Sequence, residues 1–123
     1  MSNQTSLING LIFMESKPTN TLRRRRRTLL RKLPRLEAIL RGSLIERYKR
    51  CGKPGCKCAH GPGHGPKYYL SVSKPGNKPL MDYVPQDSKE KVEQYLANYR
   101  KTKLILEELC DISRELLRRR QKF

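Results

Sequence analysis

The sequence has no tryptophan and only two phenylalanines, and apolar residues make up 36% of its 123 positions. A chain this short with so few large apolar side chains forms one small domain with a thin core, which gains from a staple. Acidic residues are scarce as well: 11 Asp and Glu stand against 28 Lys and Arg, a formal net charge of +17. There are no paired acids arranged for metal-assisted hydrolysis and no glycine loop of the kind that cradles phosphate. Long hydrophobic runs are missing. The apolar patch Leu7 to Met14 is broken by Asn9 and Gly10 and has no basic residue before it. It falls far below the roughly 20 residues that span a bilayer and does not read as a secretory signal. Of the four cysteines, Cys56 and Cys58 are too close to be bridged without strain. Cysteine usage therefore points away from a secreted disulfide framework, and a reducing, cytoplasmic setting is expected.

What is present is concentrated in one stretch. Cys51 to Leu70 reads C-G-K-P-G-C-K-C-A-H-G-P-G-H-G-P-K-Y-Y-L, and it holds three of the four cysteines and both histidines. Zinc takes four soft or borderline ligands in a tetrahedron, and a glycine- and proline-turned loop can deliver them to one point where a helix or strand cannot. Cys51, Cys56, Cys58 and one histidine complete a Cys3His site. His64 is preferred because its loop is long enough to fold back; His60, two residues after Cys58, is the alternative. Arg50, Lys53, Lys57 and Lys67 would balance the roughly −1 charge of three thiolates and an imidazole around zinc. An iron–sulfur cluster would want a fourth thiolate, and Cys110 is remote. A catalytic pair of Cys58 with His60 or His64 lacks an orienting carboxylate nearby other than Asp82.

The second signal is charge. Lys17 to Lys57 contains 15 Lys and Arg and only two acids, Glu37 and Glu46. So dense a cation on a small body seeks a polyanion, nucleic acid first because phosphate contacts release condensed counterions, and an anionic membrane second. A solvated tail without a partner is the plain alternative.

Taken in order, residues 1–21 show no sustained period and are expected to be disordered, with Met14 a possible true start. Residues 22–41 form a basic helical segment: Arg23, Arg24, Arg25, Arg26 and Arg27 are consecutive, Arg31, Lys32 and Arg35 extend them, and Leu22, Leu29, Leu33, Leu36 and Leu40 recur at helical spacing. Guanidinium forks suit phosphates. Pro34 should start or kink the helix, which should stop at Arg41 with Gly42 as left-handed cap.

Residues 42–86 are expected to form a zinc-clasped three-stranded antiparallel meander. Ser43 to Arg50 is its first strand. In Tyr68 to Ser73, Tyr68, Leu70 and Val72 alternate with Tyr69, Ser71 and Ser73; Lys74-Pro75-Gly76-Asn77 fits a type II turn, and Leu80 to Val84 returns. Residues 87–123 form a long helix with a basic tail, opened by a capping box with Asp87 as N-cap and Glu90 reaching back. Its heptad seam reads Val92, Tyr95, Tyr99, Thr102, Leu106, Leu109, Ser113 and Leu116, with Cys110 beside it as a buried hydrophobe. The seam packs on the sheet and the N-terminal helix, or pairs with another copy as a coiled coil. The fold class is α+β.

The run C-G-K-P-G-C-K-C, then His64-Gly65-Pro66, then Y-Y-L-S, preceded by L-R-G-S-L-I-E-R-Y, resembles a family of small uncharacterised bacterial and archaeal proteins associated with mobile genetic elements. The resemblance covers about residues 38–119 and implies Cys51, Cys56, Cys58 and His64 as the ligand set. His60 stands where that family tends to carry another residue such as arginine, and the arginine run lies outside.

The expected function is a non-enzymatic, zinc-stabilised nucleic-acid-binding module, DNA before RNA, with Arg23 to Arg27, Arg31, Lys32 and Arg35 on phosphates. Arg47, Lys49, Tyr48 and Tyr69 offer charge and stacking surfaces. The alternative is an assembly subunit that docks through its C-terminal helix.

Overall fold

A computed structural model describes residues 14–50, 52–61 and 63–123, with the backbone alone at residues 58 and 59. The order of elements is helix, three strands, helix: α1 (Thr19–Lys32), β1 (Ser43–Lys49), β2 (His64–Val72), β3 (Leu80–Val84) and α2 (Lys89–Arg118). Short 3-10 turns occur at Leu36–Ala38, Lys57–His60 and Gln86–Ser88. This is the α+β class that the sequence patterns imply. By compactness the chain divides into two units, one comprising residues up to Leu36 with Arg100–Phe123, the other Glu37–Tyr99.

In the first unit α1 begins directly after Pro18, whose carbonyl accepts from the N–H groups of Thr21 (3.0 Å) and Leu22 (3.2 Å). It ends at Lys32 and not at Arg41. Leu33 takes φ −59°, ψ 130°, because the ring of Pro34 disfavours helical backbone in the residue before it. The leucine stripe is divided as a result. Leu22 and Leu29 are buried against Ile105, Ile112 and Leu116 of α2, with Leu33 and Leu109 at the margin, whereas Leu40 packs in the second unit. Gly42 is no helix cap: it precedes β1 at φ 141°, where a Cβ would lie 2.7 Å from the Ser71 carbonyl oxygen.

Residues 14–21 are ordered, contrary to the expectation for 1–21; residues 1–13 lie outside the described part. Met14 is buried in the same core as Leu22 and Leu29. The Arg119 guanidinium donates to the carbonyls of Met14 (3.3 Å) and Glu15 (3.1 Å) and to Thr19 Oγ1 (3.2 Å). Its Nε donates to buried Glu115 (2.9 Å). Thr19 thus meets Arg119 while Arg26 reaches Ser113 and Arg25 reaches Glu108, so the two helices run antiparallel.

α2 is 30 residues long, about 45 Å at 1.5 Å per residue. In its distal half the buried positions are Thr102, Ile105, Ile112, Glu115 and Leu116. The expected seam holds at Thr102, Leu109 and Leu116 and moves back one residue at two positions: Ile105 and Ile112 take the places expected for Leu106 and Ser113, and Leu106 is 52% exposed. Cys110, one step off this stripe, is exposed and not buried.

In the second unit the sheet has order β1-β2-β3 with both pairs antiparallel. Tyr68, Leu70 and Val84 are buried with Leu96 of α2, and Leu40, Leu44, Val72 and Val92 pack around them. The approach to β1 is tied to the helix by Leu40 N–H to Tyr95 O (3.2 Å) and Asn98 Nδ2 to Ala38 O (2.9 Å). α2 opens through a 3-10 turn in which Ser88 N–H bonds Pro85 O (3.0 Å) and Lys89 N–H bonds Gln86 O. Asp87 lies within this turn, and neither its side chain nor that of Glu90 bonds another described residue, so the expected capping box does not form. Among the described residues no helix is long and apolar enough to cross a membrane.

Candidate metal centre and nucleic-acid interface

Two Lys-Pro-Gly turns shape the loop region. Lys53-Pro54-Gly55-Cys56 closes with Cys56 N–H to Lys53 O at 3.3 Å and φ 76° at Gly55. The expected turn at Lys74-Pro75-Gly76-Asn77 closes the same way, at 3.2 Å and φ 74°. Proline presets the second position and glycine takes the positive φ of the third, as in a type II turn. The first of these turns ends at Cys56, which is half-buried.

The loop returns as the first residues of β2. His64 pairs with Lys49 across a register shift between Arg47 and Lys49, so the strand starts four residues earlier than the alternation from Tyr68 suggests. Gly65 and Pro66 hid it, since both are poor strand residues. Arg50 donates to Gly61 O (3.3 Å) and joins the two limbs of the loop.

This places Cys56 Sγ 3.3 Å from His64 Nε2. Two ligands of a tetrahedral zinc at about 2.3 Å (sulfur) and 2.0–2.1 Å (nitrogen) stand roughly 3.5 Å apart. The pair fits adjacent vertices of such a site, and the same distance suits a thiol–imidazole hydrogen bond. Cys51 lies outside the described residues, as does the side chain of Cys58, whose backbone sits in the turn Lys57–His60. His60 is exposed at the end of that turn. Among the described residues no three His, Cys, Asp or Glu side chains converge. Asp82 is opposite Leu70 in the sheet, six positions or roughly 20 Å along the strand from His64. It is no orienting partner for that imidazole.

The arginine run divides into two sets. Arg25 makes a two-pronged ion pair with Glu108, its second prong 3.1 Å long, and that hydrogen bond raises the arginine pKa still further. Arg26 reaches Ser113 Oγ (3.5 Å), and Arg23 donates to the Lys122 carbonyl (2.9 Å). Arg24, Arg27 and Arg31 are exposed, and none of the three side chains bonds another described residue. At i, i+3 and i+7 they fall on one face of α1, spanning about 10 Å. Lys32 and Arg35 are exposed beyond them.

The remaining expected residues lie on the sheet. Arg47 and Tyr69 share the face turned away from the buried Tyr68 and Leu70, and the Arg47 guanidinium stands 5.8 Å from the Tyr69 ring centroid. Lys49 and Tyr48 follow at the register shift, with Tyr48 Oη donating to Glu46 (2.9 Å), which raises the pKa of the phenol. Tyr83 and Lys67 belong to the same face and were missed: Tyr83 is directly opposite Tyr69 and Lys67 opposite Arg47. The alternation in Leu80 to Val84 contained that signal for Tyr83, whereas Lys67 lay in the part of β2 read as loop.

No curated protein and no solved structure matches the chain. A family profile does, from the first residue of α1 through all three strands into α2. The arginine helix is therefore inside the matched region, whereas the resemblance through the cysteine block left it out. The match covers more than half of the chain, which belongs to the family described as Domain of unknown function (DUF6788), matched over residues 19–94.

Proposed function

We propose that the protein is a non-enzymatic nucleic-acid-binding module, with DNA its first polyanion and a zinc ion clasping β1 to β2. The observation that carries this is the outward stripe of Arg24, Arg27 and Arg31, three guanidinium groups on one helix face with no partner among the described residues. A row of unneutralised forks in a chain of net charge +17 is complementary to a phosphate backbone and costly to keep together without one. The contact of Cys56 with His64 supports Cys51, Cys56, Cys58 and His64 as zinc ligands, for which the thiolates would be ionised by the metal. A clustered thiolate site also supports a reducing, cytoplasmic compartment. Resemblance of the cysteine block supports an accessory role in a mobile element. The test is a salt titration: log K for duplex DNA should fall steeply with log salt, and Arg24→Gln, Arg27→Gln and Arg31→Gln should each reduce the slope by about 1. A slope unaffected by the triple variant refutes the stripe as the interface.

A second reading has its own observation. Leu106 (52% exposed) and Leu117 (61% exposed) flank the exposed Cys110 on one outer face of α2. That stripe is suited to docking in an assembly. Sedimentation of the chain alone and with nucleic acid separates the two: association without nucleic acid that Leu106→Gln and Leu117→Gln abolish favours assembly.

A further inference from the structure

The face of the sheet turned away from Leu96 of α2 has no buried residue among those described. It presents one cross-strand row, Ile45, Tyr69 and Tyr83, flanked on one side by Ser43, Ser71 and Met81 and on the other by Arg47 and Lys67. Tyr83 is 58% exposed and Met81 38%. The Tyr69 and Tyr83 rings meet edge to face at 5.8 Å and 67°, with the Arg47 guanidinium on the far side of Tyr69. The two acidic residues of the strands, Glu46 and Asp82, stand opposite Tyr68 and Leu70, hence on the other face. The open face is therefore aromatic and purely cationic. A hydrophobic partner would use the tyrosines but would leave Arg47 and Lys67 desolvated and unpaired. A rigid duplex keeps its bases stacked inside and offers this face only phosphates. A single strand satisfies both features, since exposed bases stack on aromatic rings while the backbone follows the basic edge.

We propose that this face binds a single-stranded stretch of nucleic acid, with Tyr69 and Tyr83 as base platforms and Arg47 and Lys67 on the adjoining phosphates. The proposal rests on the nucleic-acid reading above and adds a second surface, on the sheet, with a different preference. Tyr83 stacks from its exposed ring. Tyr69 is held in place by Tyr83 on one side and Arg47 on the other, so little motion is lost on binding.

The test uses the full chain as purified, with labelled dT20 and a 20-base-pair duplex as probes in a fluorescence anisotropy titration. Tyr83→Ala and Tyr69→Ala should each weaken dT20 binding about tenfold, as expected for loss of one stacked base, with duplex affinity changed less than twofold. Tyr83→Phe should bind dT20 as the parent does. Lys67→Gln should lower the salt slope for dT20 by about 1 and leave the duplex slope alone. Circular dichroism of Tyr83→Ala confirms the fold, since that ring is mostly solvated. Unchanged dT20 affinity in both alanine variants, or an equal loss for both probes, overturns the sheet-face proposal while the arginine stripe stands or falls by its own triple variant. Absence of binding to either probe overturns both readings.

Discussion

The two halves of α2 serve two different kinds of unit. Beyond Arg100 its buried residues are mostly aliphatic, Ile105, Ile112 and Leu116, and they face the leucines of α1. There part of the positive charge is tied into the fold: Arg23, Arg25, Arg26, Arg118 and Arg119 each donate to a carboxylate, hydroxyl or carbonyl in the same unit. Before Arg100 the core is smaller, built from Tyr68, Leu70, Val84 and Leu96 under a three-stranded sheet. The cations of that sheet, Arg47, Lys49 and Lys67, are exposed. Positive charge thus has a structural share in the helical unit, where only Arg24, Arg27 and Arg31 of the arginine run stand outward from α1, and a solvent-facing share in the sheet unit. A small sheet open on one face needs another source of stability, which the loop between β1 and β2 supplies if it holds a metal.

The comparison breaks most visibly at the clasp. A structural zinc contributes on the order of 10 kcal/mol in small zinc peptides, so a chelator, or His64→Ala, should strip one metal per chain. Amide exchange should then rise across residues 43–72 while α1 and the distal part of α2 keep their protection. His60→Ala should retain the metal. Equal loss of protection in both units would show that the helical unit does not stand independently of the clasp.

Within the helical unit, Ile112 is fully buried, and Ile112→Ala should lower the urea-derived stability by about 3–4 kcal/mol through lost burial and the cavity left behind. A value under about 1 kcal/mol would mean that this core is loosely packed. Next in size is Glu115, buried between Arg118 and Arg119 at 2.9 Å from each. Glu115→Ala should destabilise by about 2 kcal/mol, because Arg119 keeps its carbonyl acceptors but loses its counter-charge. Recovery of half or more by Glu115→Gln would assign the effect to hydrogen bonding in place of charge.

The smallest effect is expected at Asp111. Burial, reinforced by repulsion from Glu107, raises its carboxyl above the ordinary 3.8 against a smaller opposing pull from Arg114. A carboxyl raised by folding stabilises the native state only when protonated. That contribution is present below the unfolded value and lost as pH rises through the folded one. Asp111→Asn should therefore be slightly more stable than the parent at pH 7, with the gap closing toward pH 4 and below. A thermal melt series across that range checks the direction.

Much of this architecture can be read from short-range pattern. Alternation in Tyr68 to Ser73 assigned the buried and open faces of β2 correctly, and Leu80–Val84 is the third strand as expected. Lys74-Pro75-Gly76-Asn77 is the turn that its proline and glycine require. Errors arose where a distant partner overrides the local signal. Pro34 gave a local reason to stop α1, yet the leucine period continued past it because Leu40 has a place in a different core. Met14 looked unpatterned since its neighbours, Ile112 and Leu116, are about a hundred residues away in sequence.

Sequence alone determined the element types, the clustering of thiols and imidazoles in one turned loop, and the excess of positive charge, because periodicity, turn chemistry and composition are local properties of the chain. Tertiary structure decided which cations are left over. Arg24 and Arg25 are adjacent and chemically identical, but one turns to solvent and the other to Glu108, 83 residues further on. It also selected His64 over His60 as the neighbour of Cys56, since only the residue entering β2 is carried back across the loop by strand pairing. Distances between residues far apart in the chain follow from packing, and packing is set by the whole molecule.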